Sequence, residues 1–256
     1  MVRSILRAAF KNPGLFLAPR HIFLLSHMRA NTSLFGHLIG SHPRVEGYYE
    51  MHIGYYSWKS LWRQKLRHFA GHDAKPGARW MFDKVLHDGH FVSPDVLLRE
   101  TSRTIFMIRR PEQSIKSLVT LYRQRNPHLP EATSAGATRY YVDRLSSMAA
   151  IADRIDSRYF YLDAESLISK TDETLSRLSS WLGLDTPIPS EYGTFANTGR
   201  GNSGDLSNRL KSGKISRTDS DYSDIELSEE QMTAAETAYL EHRERIIARS
   251  AAHALS

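Results

Sequence analysis

Four short runs of aromatic and branched apolar residues interrupt the polar chain, and they predict buried strands. The runs are His21–Ser26, Ala78–Lys84, Arg103–Ile108 and Arg158–Asp163. Apolar residues occupy both faces of each run, which is typical of interior strands of a parallel sheet.

Between and after these runs, apolar residues recur at intervals of three and four, which predicts helices with one buried face. Gly40 is expected to end the first of them, and Gly183 lies just beyond another, since glycine readily adopts the left-handed backbone of a helix C-cap. Ser228 and Gln231 form a capping-box pattern that predicts a last helix over 228–250. The apolar stripes lie in 34–39, 61–69, 115–122, 142–155 and 175–182.

The alternation of strands and helices predicts an α/β protein of three layers, with a central, mainly parallel sheet flanked by helices. Ligands of such sheets bind beyond the carboxyl ends of the strands. Three of the strands run into polar segments, 26–33, 84–90 and 109–117, and these are expected to line one crevice. We expect one domain over 1–256, with an N-terminal arm at 1–20.

Composition excludes several classes of protein. The 256 residues include 41% hydrophobic and 24% charged residues, so the chain is expected to be globular. It has no cysteine, which excludes a disulfide, a thiolate nucleophile and a Cys-type zinc site. The absence of cysteine fits a reducing compartment, and we expect a cytoplasmic protein. The net charge of +6 favours an anionic partner. With no nucleic-acid-binding signature, a small anionic ligand is expected and nucleic acid is not, and no metal-ligand cluster is evident.

The first 20 residues carry Arg3, Arg7, Lys11 and Arg20 among apolar residues. The segment is interpreted as a surface arm that leads into the first strand. The alternative is a helix that makes weak contact with a membrane surface, which would place the protein at the inner face of the membrane.

Two strand ends have the composition of anion sites. The first strand passes through Arg29 into Thr32 and Ser33 at a predicted helix start, where free N–H groups and the helix dipole favour a negative ligand. The third ends at Arg109, with Ser117 eight residues later in the next helix. The alternative for the first site is an ordinary helix cap, in which Thr32 or Ser33 only satisfies backbone N–H groups. The alternative for the second site is a surface ion pair of Arg109, with Ser117 as a tolerated helix serine.

A third candidate is the glycine-rich segment 199–205, which contains Arg200 and Gly201. Successive backbone amides in such a turn can wrap a phosphate. The alternative is a flexible surface connection, and the whole stretch 196–224 is interpreted as a loop that covers the nucleotide.

Together these segments resemble the sulfotransferases that use 3′-phosphoadenylyl sulfate (PAPS), an enzyme family with a P-loop-like nucleotide-binding fold. Residues 28–33 resemble the 5′-phosphosulfate loop of that family, Arg109 and Ser117 its 3′-phosphate pair, and 200–205 its late glycine-rich loop. The resemblance runs from about residue 21 to 215 and implies transfer of a sulfuryl group from PAPS, without a metal, to a hydroxyl of a glycan, a lipid headgroup or a small alcohol. The implied PAPS-binding residues are Arg29, Ala30, Asn31, Thr32, Ser33, Arg109, Ser117, Arg200 and Gly201.

The chain departs from the family pattern at three positions. Asn31 replaces the loop glycine, Ala30 replaces a frequent serine, and Arg110 stands where an acidic residue is common. Asparagine is the next-best residue for a left-handed backbone, so the loop conformation is still expected. These differences indicate a divergent, bacterial-type branch.

The resemblance also implies the catalytic residues. Glu50 is expected to be the general base, in a pocket made partly apolar by nearby tyrosines, and His87 is the alternative base. Lys84 and Arg29 are expected to stabilise the sulfuryl group and the leaving phosphate. Two other functions remain open. One is a small-molecule kinase, which would need a Walker lysine that the chain lacks. The other is a non-catalytic nucleotide-binding module.

Overall fold

A computed structural model describes residues 2–17, 20–195, 198, 210–216 and 221–256. The sequence-predicted loop 196–224 therefore lies largely outside the described residues, and so do Arg200 and Gly201.

The described residues form one sheet of six strands, and every pairing in it is parallel. The strands are β1 Arg20–Ser26, β2 Val45–Glu46, β3 Trp80–Val85, β4 Ser102–Ile108, β5 Tyr159–Asp163 and β6 Ala252–Ala254. Their spatial order is β2-β3-β1-β4-β5-β6. All four predicted strands are confirmed, with shifts of one or two residues at their ends. The edge strands β2 and β6 were not predicted, because two or three residues are too few to show a period.

Helices cover both faces of this sheet. Their bounds are α1 Val2–Lys11, α2 Pro13–Leu17, α3 Thr32–Ser41, α4 Trp58–Phe69, α5 Pro94–Leu97, α6 Pro111–Arg125, α7 Ser134–Arg154, α8 Ser166–Ser169, α9 Thr171–Leu182 and α10 Glu229–Ala248, with 3₁₀ turns at Pro130–Ala132 and Leu210–Ser212. One apolar core joins the sheet to α4, α6, α7 and α10, and a second joins its other face to α3 and α9. The predicted three-layer α/β architecture is confirmed.

Glycine at two predicted helix ends has different roles. Gly183 has a φ of 66° and caps α9 as expected, whereas α3 continues through Gly40 to Ser41, so the predicted stop at Gly40 is wrong. A Cβ atom on Gly40 would lie 2.6 Å from the Cβ of Tyr48. Gly40 is therefore needed for close packing of the helix on the Tyr48 backbone. The capping box at Ser228 and Gln231 is confirmed at the start of α10.

The N-terminal arm folds as α1 and α2 and is attached to the domain. Ala8 is buried, and the Asn12 side-chain amide donates to the carbonyl oxygens of Lys75 and Ala78, at 3.0 and 2.9 Å. None of the helices in the described ranges has the length and apolar character to span a bilayer.

Candidate functional site

The site is built at the carboxyl edge of three neighbouring strands, β3, β1 and β4. The chain continues from β1 to β2 and β3 on one side, while β4 lies on the other side of β1. The sheet order therefore reverses at β1, and a crevice opens at such a switch point beyond the strand ends. The three polar segments predicted to share a crevice leave these strands side by side.

The turn from β1 into α3 has the backbone conformation of an anion-binding loop. Arg29 and Asn31 both have left-handed backbones, with φ values of 66° and 57°. Asn31 is the N-cap residue, but its side chain makes no capping hydrogen bond within the described structure. The first N–H groups of α3 have no intrahelical acceptor and remain directed beyond the helix end. The left-handed backbone predicted for Asn31 is confirmed.

Arg29, Ser117 and Arg109 come from separate segments and meet at this turn. The Arg29 Nε donates to Ser117 Oγ at 2.8 Å, and the Arg109 Nη1 donates to the Arg29 carbonyl oxygen at 3.1 Å. The Tyr222 hydroxyl also donates to Ser117 Oγ, at 2.9 Å. Two accepted bonds leave the Ser117 hydroxyl hydrogen to donate to a third group.

Two residues that the sequence analysis missed fix the position of Arg109. Its backbone N–H donates to His27 Nε2 at 3.0 Å, and its carbonyl accepts from the Tyr141 hydroxyl at 2.6 Å. Burial lowers the pKa of His27 to about 3, so the imidazole is neutral. Since Nε2 accepts, the ring proton is on Nδ1, which lies 2.9 Å from the carbonyl oxygen of Met28. A histidine at a strand end is too common a feature to be identified in this role from sequence.

Lys84 enters the crevice from β3, and its Nζ lies 3.3 Å from Ser33 Oγ. Asp83, the preceding residue, is buried and accepts from the backbone N–H groups of Lys84 and Met51 at 2.8 and 3.0 Å. Burial raises the pKa of Asp83 to about 7, and its other oxygen is hydrogen-bonded to the Tyr55 hydroxyl. Asp83 thereby holds the segment that follows Glu50 at a fixed distance from the strand that carries Lys84.

Glu50 faces His52 and His87. Its Oε1 atom lies 3.6 Å from His52 Nδ1 and 3.7 Å from His87 Nε2, and this buried oxygen has no hydrogen-bond partner among the described atoms. Burial raises the pKa of Glu50, and the positive charge of Lys84 opposes this shift. Burial, with the positive charges of His90 and Arg144 next in importance, lowers the pKa of His87 to about 4. The two alternative bases thus lie within 4 Å of each other.

The tyrosine-rich pocket expected around Glu50, from Tyr48, Tyr49, Tyr55 and Tyr56, stays a prediction. The Tyr55 hydroxyl is bound to Asp83, and Tyr56 is 63% exposed. The described contacts of Glu50 are with histidines and the Leu86 backbone. Burial, with the negative charge of Glu50 among the further causes, raises the pKa of Tyr122 and Tyr140, so tyrosines of α6 and α7 lie near this carboxylate.

Arg144 is a buried positioning residue that the sequence analysis did not single out. From α7, its Nε donates to the Ser26 carbonyl at 2.9 Å and its Nη2 to the Val85 carbonyl at 2.8 Å. Its Nη1 is paired with Asp88. Arg144 therefore joins the carboxyl ends of β1 and β3 to the loop that follows β3. In the sequence it is one polar residue in a helical stripe, and nothing there distinguishes it.

The fold and the strand-edge site define an α/β protein with a doubly wound parallel sheet and a turn of left-handed residues at its switch point. Among solved structures, the sulfotransferase domain from the curacin biosynthetic pathway has this fold, with a TM-score of 0.63 over 87% of this chain and 97% of that one, at 16% sequence identity. The chain therefore has a sulfotransferase-like fold. No protein-family model matches the sequence, and no curated protein matches it either.

Proposed function

We propose that the protein is a sulfotransferase that moves a sulfuryl group from PAPS to an acceptor hydroxyl and releases adenosine 3′,5′-bisphosphate (PAP). The observation that carries this proposal is the contact network that joins Arg29, Ser117 and Arg109 beside the amino end of α3. Residues of the two segments assigned to the 5′- and 3′-ends of the nucleotide are in direct contact. The sulfotransferase-like fold supports the same assignment.

In the proposed reaction the acceptor oxygen attacks sulfur and its proton passes to the Glu50 carboxylate. The bond between sulfur and the bridging oxygen breaks, and PAP leaves with the electron pair. Lys84, Arg29 and the amino end of α3 stabilise the charge that develops on the departing phosphate. The raised pKa of Glu50 suits a base, because proton transfer is most effective when the pKa lies near the working pH.

The nucleotide assignment is tested by comparing PAP with 5′-AMP in calorimetric titrations. A charge-assisted hydrogen bond contributes about 1.5–3 kcal/mol, so we expect PAP to bind roughly 10- to 150-fold more tightly than AMP. Arg109→Met should remove most of this preference and leave AMP affinity nearly unchanged. Arg110→Met is the matched control, since the neighbouring arginine is exposed. Equal affinities of the wild type for PAP and AMP would contradict the assignment.

The chemical step is tested by PAP release from PAPS in the presence of a panel of alcohols, glycans and lipids. We expect Glu50→Gln to lose about 10²–10⁴-fold in kcat and to keep its affinity for PAP, because a base acts in the transition state. His87→Ala should lose less. A Glu50→Gln variant with wild-type turnover, beside an inactive His87→Ala variant, would transfer the role of base to His87.

A further inference from the structure

Four potential metal ligands come together beside the proposed nucleotide crevice, from two segments that are distant in sequence. Glu50 and His52 follow β2, and His87 and His90 follow β3. One ligand atom of each residue lies within 4.8 Å of those of the other three. The ring centres of His87 and His90 are 4.5 Å apart, and those of His52 and His90 are 5.6 Å apart.

The separations are close to those of a tetrahedral site. Bonds of about 2.0–2.1 Å from zinc to nitrogen or oxygen place neighbouring ligand atoms roughly 3.4 Å apart. The Glu50 Oε1 atom lies 3.6 Å from His52 Nδ1 and 3.7 Å from His87 Nε2, close to that value, and all four ligand atoms lie within 4.8 Å of one another, so the longer separations must shorten when a metal binds.

A second observation points to a ligand here. Glu50 Oε1 is a buried carboxylate oxygen without a hydrogen-bond partner in the described structure, although its side chain faces two imidazoles. A buried polar atom normally has a partner, and its absence needs a reason. The His52 side chain is 40% exposed and that of His87 35%, so a cation can reach the cluster from solvent.

We propose that Glu50, His52, His87 and His90 bind a divalent transition-metal ion of the zinc class. A donor set of three imidazoles and one carboxylate suits zinc, cobalt or nickel better than magnesium or calcium. The second half of the inference rests on the proposed function. A cation bound to Glu50 Oε1 withdraws electron density from the carboxylate and makes it a weaker base for the proton of the acceptor. Metal binding therefore inhibits transfer, and a chelator restores it.

The metal site is tested on the chelator-treated full chain by titration with Co²⁺, whose tetrahedral complexes absorb strongly in the visible range. We expect a tetrahedral band that saturates at one equivalent and is displaced by Zn²⁺. His90→Ala should weaken binding by roughly 100-fold or more, since even outer-sphere partners of a metal contribute about 10–100-fold. His242→Ala in α10 is the control. His90→Cys should restore binding and add a thiolate-to-cobalt charge-transfer band, which a purely structural role of His90 would not produce.

A missing tetrahedral band, or equal Co²⁺ affinity in His90→Ala and His242→Ala, would overturn the metal site. Turnover with and without Zn²⁺ then separates the two proposals. Tight metal binding with unchanged turnover would leave the site standing and remove Glu50 as the base.

An independent observation concerns the exposed surface of α1 and α4, two helices that contact each other. Each exposes three large apolar side chains at intervals of four residues. These side chains, which define the α1–α4 surface, are Val2, Leu6, Phe10, Trp58, Trp62 and Leu66, and their exposed fractions are 66%, 63%, 90%, 53%, 42% and 43%.

The charge around this surface is uniformly positive. Neither helix contains Asp or Glu, and the exposed residues between the apolar positions are cationic. They are Arg3, Arg7, Lys11, Lys59, Arg63 and Arg67. Apolar side chains ringed by Lys and Arg match the boundary of an anionic bilayer, where each cation near the surface contributes about 1 kcal/mol.

We infer that the α1–α4 surface docks on membranes that contain anionic lipid. Arg63 Nη2 donates to the Gly54 carbonyl at 2.5 Å, so α4 also supports the segment that follows Glu50.

The surface is tested by flotation with vesicles of phosphatidylcholine alone and with added phosphatidylglycerol. We expect binding only with the anionic lipid, weakened by salt, and lost in a Phe10→Ser, Trp62→Ser double variant. Leu240→Ser is the matched control, since this 64% exposed leucine lies on α10. Absence of binding, equal binding to both vesicles, or Phe10- and Trp62-dependent dimerisation in place of vesicle binding would overturn the inference.

Discussion

Arg144→Met tests whether one buried side chain holds the two central strand ends of the site. The variant removes hydrogen bonds to the carbonyl oxygens of Ser26 and Val85, which lie on residues that are 0% and 2% exposed. It also removes the ion pair with Asp88. Methionine keeps the length of the apolar stem but provides no donor.

The magnitude follows from the groups that lose their partner. Leaving a buried acceptor unsatisfied costs about 1–3 kcal/mol, and Arg144→Met does this to two carbonyl groups. The Asp88 carboxylate is half exposed, so water replaces much of what it loses. We expect the free energy of unfolding to fall by about 2–6 kcal/mol.

Urea denaturation measures this change, and a shifted midpoint with an unchanged slope would show that stability alone has altered. Arg154→Met is the control, because this arginine lies exposed at the end of the same helix, and its variant should stay within about 0.5 kcal/mol of wild type. A loss below about 1 kcal/mol for Arg144→Met would refute the view that the side chain holds the strand ends.

Two further predictions concern packing and pH. Gly36→Ala should destabilise the protein by about 1–3 kcal/mol despite alanine's higher helix propensity, because the new Cβ would lie 2.2 Å from the Tyr48 carbonyl oxygen. A Cβ on Gly14 would have no atom within 4 Å, so the control Gly14→Ala should not destabilise. Denaturation midpoints that move in the same direction for both variants would contradict this. Asp163→Asn should lower the free energy of unfolding by about 3 kcal/mol at neutral pH, since it breaks a buried pair with Arg243. Burial alone would raise the pKa of Asp163, but hydrogen bonds from Arg243 and others outweigh it and hold the pKa below 3.8. The stabilisation by the Asp163 carboxylate is therefore present above the ordinary pKa of aspartate and is lost as the pH falls through its pKa in the folded protein. The difference in unfolding free energy between Asp163→Asn and wild type should shrink in acid. A difference that is independent of pH would show that the carboxylate charge is not what stabilises.

The sequence alone determined the features that depend on neighbouring residues. Strands β1, β3, β4 and β5 were visible as apolar runs, because an interior parallel strand is buried on both faces. The left-handed Asn31 and the C-cap at Gly183 follow from local backbone preferences, and both are observed. The resemblance of the strand-end segments to sulfotransferases is likewise local, and the shared fold agrees with it.

Only the tertiary structure decided which side chains meet across the sheet. Arg144 reaches two strand ends from a helix more than 50 residues downstream, and Glu50 faces His87, which lies 37 residues later in the chain. Such contacts depend on strand order and on the path of the loops beyond the strand ends. A side chain at one strand end carries no local signal of its partner at another. The cluster of Glu50 with His52, His87 and His90, which joins segments after β2 and β3, was therefore invisible until those strands were placed side by side.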